Sequence, residues 1–133
     1  MKGQPKSGGI HAMEGWDWLC EGQILQPDLS SVSGFEWGAY QNCTDKMPQH
    51  LAVRIMLCVQ GPGGPGNYEC NKYKAGNGGH IVVAYQTRTD ARLSSCNRSK
   101  YSTYVLDVYY IMANNEEHPA VESTQHKVKC YST

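Results

Sequence analysis

Large apolar side chains recur at every second position in several segments of the chain, as they do in β-strands that bury one face. In residues 51–59 every odd-numbered residue is aliphatic, and in residues 103–112 every even-numbered residue is apolar or aromatic. Residues 80–87 are rich in β-branched and aromatic side chains, and residues 124–130 alternate again. Residues 21–25 add a short segment of strand character. The pattern therefore predicts four or five strands.

Residues 27–39 break this alternation and predict a helix. Leu29 and Phe35 fall at helical spacing with the other apolar residues of this segment, and either Asp28 or Ser30 can act as the N-cap. With the strands, this predicts an α+β fold that is mostly β: a twisted antiparallel sheet of four or five strands with one helix against it.

The domain organisation follows from where the apolar pattern begins. Residues 1–15 are dominated by Gly, Lys, Gln and Ser and predict a flexible N-terminal arm. Residues 16–133 have the length of one domain, which we expect to be stapled by disulfides.

A Gly- and Pro-rich stretch interrupts the strands between residues 61 and 79, with seven Gly and two Pro. This composition predicts a surface loop. The aromatic and basic side chains within it, Tyr68, Tyr73 and Lys74, are the binding residues that we expect if the loop contacts a partner.

The cysteines indicate the compartment. The chain has an even number of them, and no two lie closer than twelve positions, which excludes C-x-x-C zinc and redox motifs. The expected state is therefore a disulfide framework in a secreted, extracellular protein. The six cysteines are Cys20, Cys43, Cys58, Cys70, Cys96 and Cys130.

Six cysteines allow fifteen pairings, and two pairs stand out. Cys58 and Cys70 bracket the first half of the Gly/Pro stretch, so a bond between them would clip that loop. A bond between Cys20 and Cys130 would tie the two ends of the domain together and would stabilise it by roughly 4–5 kcal/mol on the chain-entropy model. Two N-glycosylation sequons, at Asn42 and Asn97, agree with secretion.

Composition and charge limit the possible partners. The chain has 12 basic and 12 acidic residues and a formal net charge of zero, and its basic residues are scattered along the sequence. This argues against sequence-independent binding to nucleic acid. No apolar segment is long enough to span a membrane. We expect a monomer that binds a host or competitor protein, or another target on a cell surface.

The five histidines form no metal-binding motif, so no metal is expected, and no nucleotide or other cofactor motif is present. One set of polar residues suits metal-free cleavage of RNA. In that reaction Glu69 would take the proton of the 2′-hydroxyl, His50 or His118 would protonate the leaving oxygen, and Arg88 would stabilise the charge on phosphorus.

Three short segments carry a resemblance to the small guanyl-specific ribonucleases of fungi: Trp-Leu-Cys-Glu-Gly at residues 18–22, Asn-Tyr-Glu at 67–69 and Gly-Gly-His-Ile-Val-Val at 78–83. The resemblance implies an RNA-cleaving alternative in which Glu69 is the catalytic carboxylate. The arginine of that family, however, would fall near His80 rather than at Arg88.

Residues 52–55 and 79–85 are similar to strand segments of the killer toxins of smut fungi. In size and cysteine content, the chain also resembles the effectors and elicitors that plant-associated fungi secrete. These resemblances imply a non-catalytic protein that acts by binding a host or competitor target, and this is our primary prediction. A secreted ribonuclease and a killer-toxin-like protein are the alternatives.

Overall fold

The computed structural model describes residues 20–30, 33–43, 50–64, 66–76, 78, 80–82, 86–112 and 114–132. The predicted flexible arm, residues 1–15, lies outside these residues. Within them, nine β-strands form two antiparallel sheets. The strands are β1 (Cys20–Ile24), β2 (Phe35–Cys43), β3 (His50–Gln60), β4 (Tyr68–Gly76), β5 (His80–Val82), β6 (Gln86–Leu93), β7 (Ser102–Ile111), β8 (Glu117–Glu122) and β9 (His126–Val128).

The smaller sheet has the strand order β1-β2-β6, and the larger has the order β4-β3-β7-β8, with β5 paired to β3 and β9 paired to β7. Their inner faces share one hydrophobic core. Phe35 of the smaller sheet contacts Tyr104 of the larger one, with ring centroids 5.0 Å apart. The fold is thus mostly β, as predicted, but it has two sheets where the sequence indicated one.

The two longest alternating segments, residues 51–59 and 103–112, form strands with the predicted faces. Leu51, Val53 and Ile55 of β3 are fully buried, and the even-numbered residues of β7 from Tyr104 to Tyr110 face the same core. The apolar alternation of these two central strands was sufficient to identify both the strand and its buried side.

The predicted helix at residues 27–39 is wrong in the part that the structure describes, where Phe35–Cys43 forms β2 and no helix is present. Phe35, Trp37 and Ala39 are buried at every second position, which is strand periodicity. Gly34 precedes the strand where a Cβ would lie 1.7 Å from the carbonyl oxygen of Leu93. Glycine is required there because the two backbones approach closely, not because the segment turns as a helix.

The Gly/Pro stretch is a loop in its first part only, which corrects the prediction for the rest. Residues 61–64, 66 and 67 lie in a turn, with Gly64 and Gly66 at positive φ. Tyr68–Gly76 then forms β4, which pairs with β3 through two register shifts. The predicted Cys58–Cys70 disulfide is present and joins these two strands.

The predicted Cys20–Cys130 disulfide is wrong. Cys20 bonds to Cys43, and Cys96 bonds to Cys130. The antiparallel pairing of β1 with β2 sets Cys20 directly opposite Cys43, so the sheet itself brings that pair together. Three disulfides in so small a chain are compatible with an extracellular location. The described residues contain no helix of the length and apolarity that crossing a membrane requires.

Candidate binding surface

The lysines of the described residues converge at one end of the larger sheet, where β3 ends and β7 begins. Two lie on β4, whose residues 73 and 74 pair with residues 57 and 56 of β3. One directly precedes β7, and two lie on or just after β9, which pairs with the first residues of β7. These five residues are Lys72, Lys74, Lys100, Lys127 and Lys129.

Four tyrosines with large exposed side chains lie at the same end. Their exposed fractions are 40% for Tyr68, 55% for Tyr73, 53% for Tyr101 and 39% for Tyr131, and they are the large hydrophobic side chains that the described part of the chain exposes. Exposed aromatic rings collected at one place mark a contact surface. We call these four tyrosines and the five lysines the Lys/Tyr surface.

Two clefts contain residues of this surface. They open on different faces of the larger sheet, because the core-facing Leu57 lines the larger cleft and Cys58, on the opposite face of β3, lines the smaller one. The larger, of about 800 Å³, is lined by Tyr73 and Tyr131 together with Lys72, Lys74 and Lys100. The smaller, of about 220 Å³, has Tyr68, Tyr101 and Lys127 in its wall. No acidic side chain of the described residues lines either cleft.

Three ammonium groups of the surface lie beside two of its aromatic rings. The Lys100 Nζ lies 5.7 Å from the centre of the Tyr131 ring, and the Nζ atoms of Lys127 and Lys129 lie 5.2 Å and 5.9 Å from the centre of the Tyr101 ring. These distances fall within the range of cation–π attraction. Tyr101 and Tyr131 therefore each have a positive charge beside the ring, and part of each ring remains open to solvent.

Only Lys72 among the five lysines has an acidic partner within the described residues, the Glu69 carboxylate at 3.2 Å. The other described cations behave differently. Arg54, Arg88 and Arg92 each form an ion pair with a carboxylate, and Arg98 donates to the carbonyl oxygens of Gly34 and Leu29. The positive charge available to a ligand is therefore concentrated on the lysines.

The backbone under the surface is held by covalent and hydrogen bonds. The Cys96–Cys130 disulfide lies beside a bridge in which Asn97 and Tyr131 exchange backbone hydrogen bonds of 2.9 Å and 2.8 Å. The buried hydroxyl of Tyr104 donates to the carbonyl oxygen of Cys130. Because this backbone is fixed, the exposed rings project from a rigid base.

The three predicted binding residues, Tyr68, Tyr73 and Lys74, all belong to the Lys/Tyr surface. The lysines and tyrosines of the surface that follow residue 99 were not among the predicted binding residues. The missed signal was the pair of exposed lysines on either side of the buried Val128, which places two charges on one strand face.

The structure does not bring the four residues of the predicted RNA-cleaving set together. His50 begins β3, whereas Glu69 pairs with Val59 near its other end. Nine strand positions at ~3.3 Å each separate the two by roughly 30 Å, far beyond proton-transfer distance. His118 pairs with Tyr110 at the His50 end of the larger sheet, and Arg88 lies on the smaller sheet. The RNA-cleaving role of these four residues stays a prediction, and the described part of the chain shows no pocket that they share.

Local partners also account for two members of that set. The Nε2 atom of His118 lies 2.8 Å from the Glu116 carboxylate. The hydrogen bond and the charge of Asp90 raise the pKa of Arg88 above its usual value. These are exposed pairs within one strand or turn, an arrangement that is common on protein surfaces.

A second charged cluster lies on the outer face of the larger sheet, away from the lysines. The Arg54 guanidinium donates to Asp107 at 2.7 Å and to Glu117 at 3.1 Å, and it stacks 4.2 Å from the ring centre of Tyr109. Burial opposes the charged guanidinium, but Asp107 and Glu117 raise the pKa of Arg54 overall. Burial, and then the Asp107 charge, raise the pKa of Glu122.

The described residues contain no cluster of three or more His, Cys, Asp or Glu side chains that could hold a metal ion. Asn42 and Asn97 are both exposed, and glycosylation at either stays a prediction. The Oδ1 atom of Asn97 accepts hydrogen bonds from the backbone N–H and hydroxyl of Ser99, and Asn97 also lines the larger cleft.

No protein-family model, curated protein sequence or solved structure matches this chain.

Proposed function

We propose that the protein is a secreted, non-catalytic binding protein of the effector or elicitor type, and that the Lys/Tyr surface contacts its host or competitor target. One observation carries the proposal. Lysines and exposed tyrosines that are scattered along the sequence meet on one rigid end of the fold, and only one of those lysines has a described acidic partner. Exposed aromatic rings mark an interaction site, and unneutralised positive charge beside them attracts a ligand of opposite charge.

The disulfides support the secreted part of the proposal. Each of the three bonds links neighbouring segments of the β-fold, and two of them directly border the Lys/Tyr surface. A protein that works outside the cell keeps such bonds oxidised, and its binding residues stay in place without further support.

The non-catalytic part rests on what the surface offers. Its groups are ammonium ions and phenols, which suit attraction and stacking. The histidines of the predicted catalytic set lie at the opposite end of the larger sheet from Glu69. A proton-transfer pair of His50 or His118 with Glu69 would require a different fold.

The test is a bioassay with surface variants. The oxidised protein is infiltrated into plant leaf tissue and added to growing yeast, and necrosis, oxidative burst and growth inhibition are measured. We expect a response that a Lys100→Gln/Lys127→Gln variant loses by at least tenfold in dose.

The matched control is Arg88→Gln/Arg92→Gln, which changes the net charge equally on the smaller sheet and leaves the Lys/Tyr surface intact. We expect this control to retain the activity. A wild-type protein without activity in either system would refute the effector assignment, and equal activity of both variants would remove the surface from it.

A further inference from the structure

Although the net charge of the chain is zero, its charged side chains are distributed unevenly over the larger sheet. At the lysine end of the larger sheet, Glu69 is the one carboxylate with a described contact to a lysine. At the opposite end, Glu116 lies in the turn between β7 and β8, and Glu117, the first residue of β8, pairs with Arg54. Five of the twelve basic residues that are scattered in the sequence, all lysines, are therefore brought to one end of the larger sheet, and this end has the charge that attracts a polyanion.

The ligand must use the rings as well as the charges. Tyr101 has two ammonium groups within 6 Å of its ring centre and Tyr131 has one, yet these rings remain 53% and 39% exposed. A ligand that only carried charge would leave this aromatic area in water. A ligand with flat uncharged groups linked by anionic groups would satisfy both features at once.

The surface extends across both clefts. Tyr73 and Tyr131 line the larger cleft, and Tyr68 and Tyr101 line the smaller one. Lys100 and Tyr101, consecutive residues just before β7, line one cleft each, so both clefts adjoin this end of the sheet although they open on different faces. An extended chain that bends around the sheet end can contact both clefts, whereas a single small anion can fill only one.

From this arrangement we infer that the Lys/Tyr surface binds single-stranded nucleic acid, with bases stacked on the tyrosines and phosphates beside the lysines. This inference rests on the proposed function in that it names the ligand of the same surface. Lysines act as point charges without the bidentate geometry of arginine, which fits contact with the backbone independent of sequence.

Other polyanions match the surface less well. In a duplex the bases are stacked on one another and are not available to the tyrosines. The tyrosines would therefore contribute little to binding a duplex. An acidic polysaccharide offers the apolar faces of its sugar rings rather than flat aromatic bases, and competition with polygalacturonate distinguishes it from a single strand.

The test is fluorescence anisotropy with a fluorescein-labelled 20-nucleotide oligo(dT), titrated with the oxidised full chain. DNA is used because it lacks the 2′-hydroxyl, so binding is measured without the cleavage that the ribonuclease alternative implies. We expect saturable binding. The logarithm of the association constant should fall with the logarithm of the salt concentration with a slope of roughly −3, as four or five lysine–phosphate contacts predict for a single strand. Oligo(rU), a 20-base-pair duplex, polyphosphate and polygalacturonate serve as competitors.

Two pairs of variants separate stacking from charge. Tyr73→Ala and Tyr101→Ala should each weaken oligo(dT) binding about tenfold, the loss expected for one stacked base, while polyphosphate binding stays unchanged. Tyr101→Phe keeps the ring and should bind as the wild type does. Lys100→Gln/Lys127→Gln should weaken binding and reduce the salt slope by about one unit, and Arg88→Gln/Arg92→Gln should not. Near-ultraviolet circular dichroism verifies the fold of each variant.

The inference is overturned if oligo(dT) does not bind, if polygalacturonate or duplex competes as well as the single strand, or if the tyrosine variants bind like the wild type. Bioassay activity that depends on the lysines, without oligo(dT) binding, would leave the proposed function standing and refute the nucleic-acid ligand. Oligo(dT) binding without bioassay activity would do the reverse.

Discussion

At the scale of single residues, the core contains one polar pair that a hydrophobic core would not require. The Tyr110 hydroxyl donates to the Oε1 atom of Gln41 at 2.8 Å, and Gln41 is completely buried. The Nε2 atom of Gln41 has no hydrogen-bond partner. A buried polar group that loses its hydrogen-bond partner costs roughly 1–3 kcal/mol. Removing the Tyr110 hydroxyl therefore has a different effect on stability when the Gln41 amide is present than when it is absent.

We predict that Tyr110→Phe lowers the free energy of unfolding by about 1–2 kcal/mol, because it leaves the whole Gln41 amide buried without the hydroxyl. Adding Gln41→Leu to that variant should recover most of the loss, since no polar group of the pair then remains. Urea denaturation of the oxidised proteins measures both changes. Tyr73→Phe, the same substitution at an exposed site, is the control and should stay within about 0.5 kcal/mol of the wild type. Additive effects of the two core substitutions would contradict the coupling.

Glu122 gives a pH-dependent prediction. Burial, with the Asp107 charge, raises its pKa in the folded state, so the folded protein binds the proton more tightly than the unfolded chain does. Stability from this group is therefore present at low pH and is lost as the pH rises from the unfolded pKa through the folded pKa. At neutral pH the ionised carboxylate destabilises the fold.

Replacing this residue by glutamine should accordingly raise the melting temperature at pH 7. The gain should stay below about 1 kcal/mol, as expected for a partly exposed group. It should disappear at pH 3.5, where the native carboxyl is protonated as well. Thermal melts of Glu122→Gln and wild type at both pH values measure this, and a gain of the same size at pH 3.5 would show that the charge is not its cause.

At the scale of elements, a strand could be predicted from the sequence when its own residues alternate between apolar and polar. β3 and β7 lie at the centre of the larger sheet and bury one face completely, so alternation alone identified them. β2 and β4 were missed because each contains glycine and β4 pairs with β3 through two register shifts. Their strand conformation comes from pairing with a neighbour, which a single sequence does not display.

The candidate site was predictable to the same extent. Tyr68, Tyr73 and Lys74 were identified because they lie in one Gly/Pro-rich segment whose exposure could be inferred. Lys100 and Lys127 were not, because only the antiparallel registers of β7 with β3 and β9 bring them to the same sheet end. The composition of a sequence does not show which residues the register of paired strands brings close together.

The Cys58–Cys70 bond gives a prediction at the scale of elements, because it anchors β4, which carries Lys72, Tyr73 and Lys74. Its sequence separation is 12, so removing it by Cys58→Ala/Cys70→Ala should cost roughly 3 kcal/mol on the chain-entropy model. We also expect the amides of β4 to exchange with solvent at least tenfold faster, as hydrogen-exchange mass spectrometry would show.

The control is Cys20→Ala/Cys43→Ala, which removes a bond of separation 23 from the smaller sheet. It should cost a similar free energy but leave exchange in β4 close to that of the wild type once global unfolding is taken into account. If both variants accelerated exchange in β4 equally, the Cys58–Cys70 bond would have no local role in holding the Lys/Tyr surface.

At the scale of the whole molecule, net charge and charge distribution predict different behaviour. The formal net charge is zero at pH 7, so a uniform distribution would give no retention on a cation exchanger at that pH. The described arginines are occupied by carboxylates or carbonyl groups, while four of the five lysines have no described acidic partner. The molecule therefore presents one positive end to a charged surface.

We predict that the oxidised protein is retained on a sulfonate cation exchanger at pH 7 and low salt, and that it elutes as the ionic strength approaches about 0.15 M, where the Debye length falls to ~8 Å. Lys100→Gln/Lys127→Gln should elute much earlier. Arg88→Gln/Arg92→Gln has the same net charge as the double lysine variant but keeps all five lysines, so it should elute near the wild type. Identical elution of the two variants would mean that retention follows net charge, and the polarity seen in the fold would then have no consequence in solution.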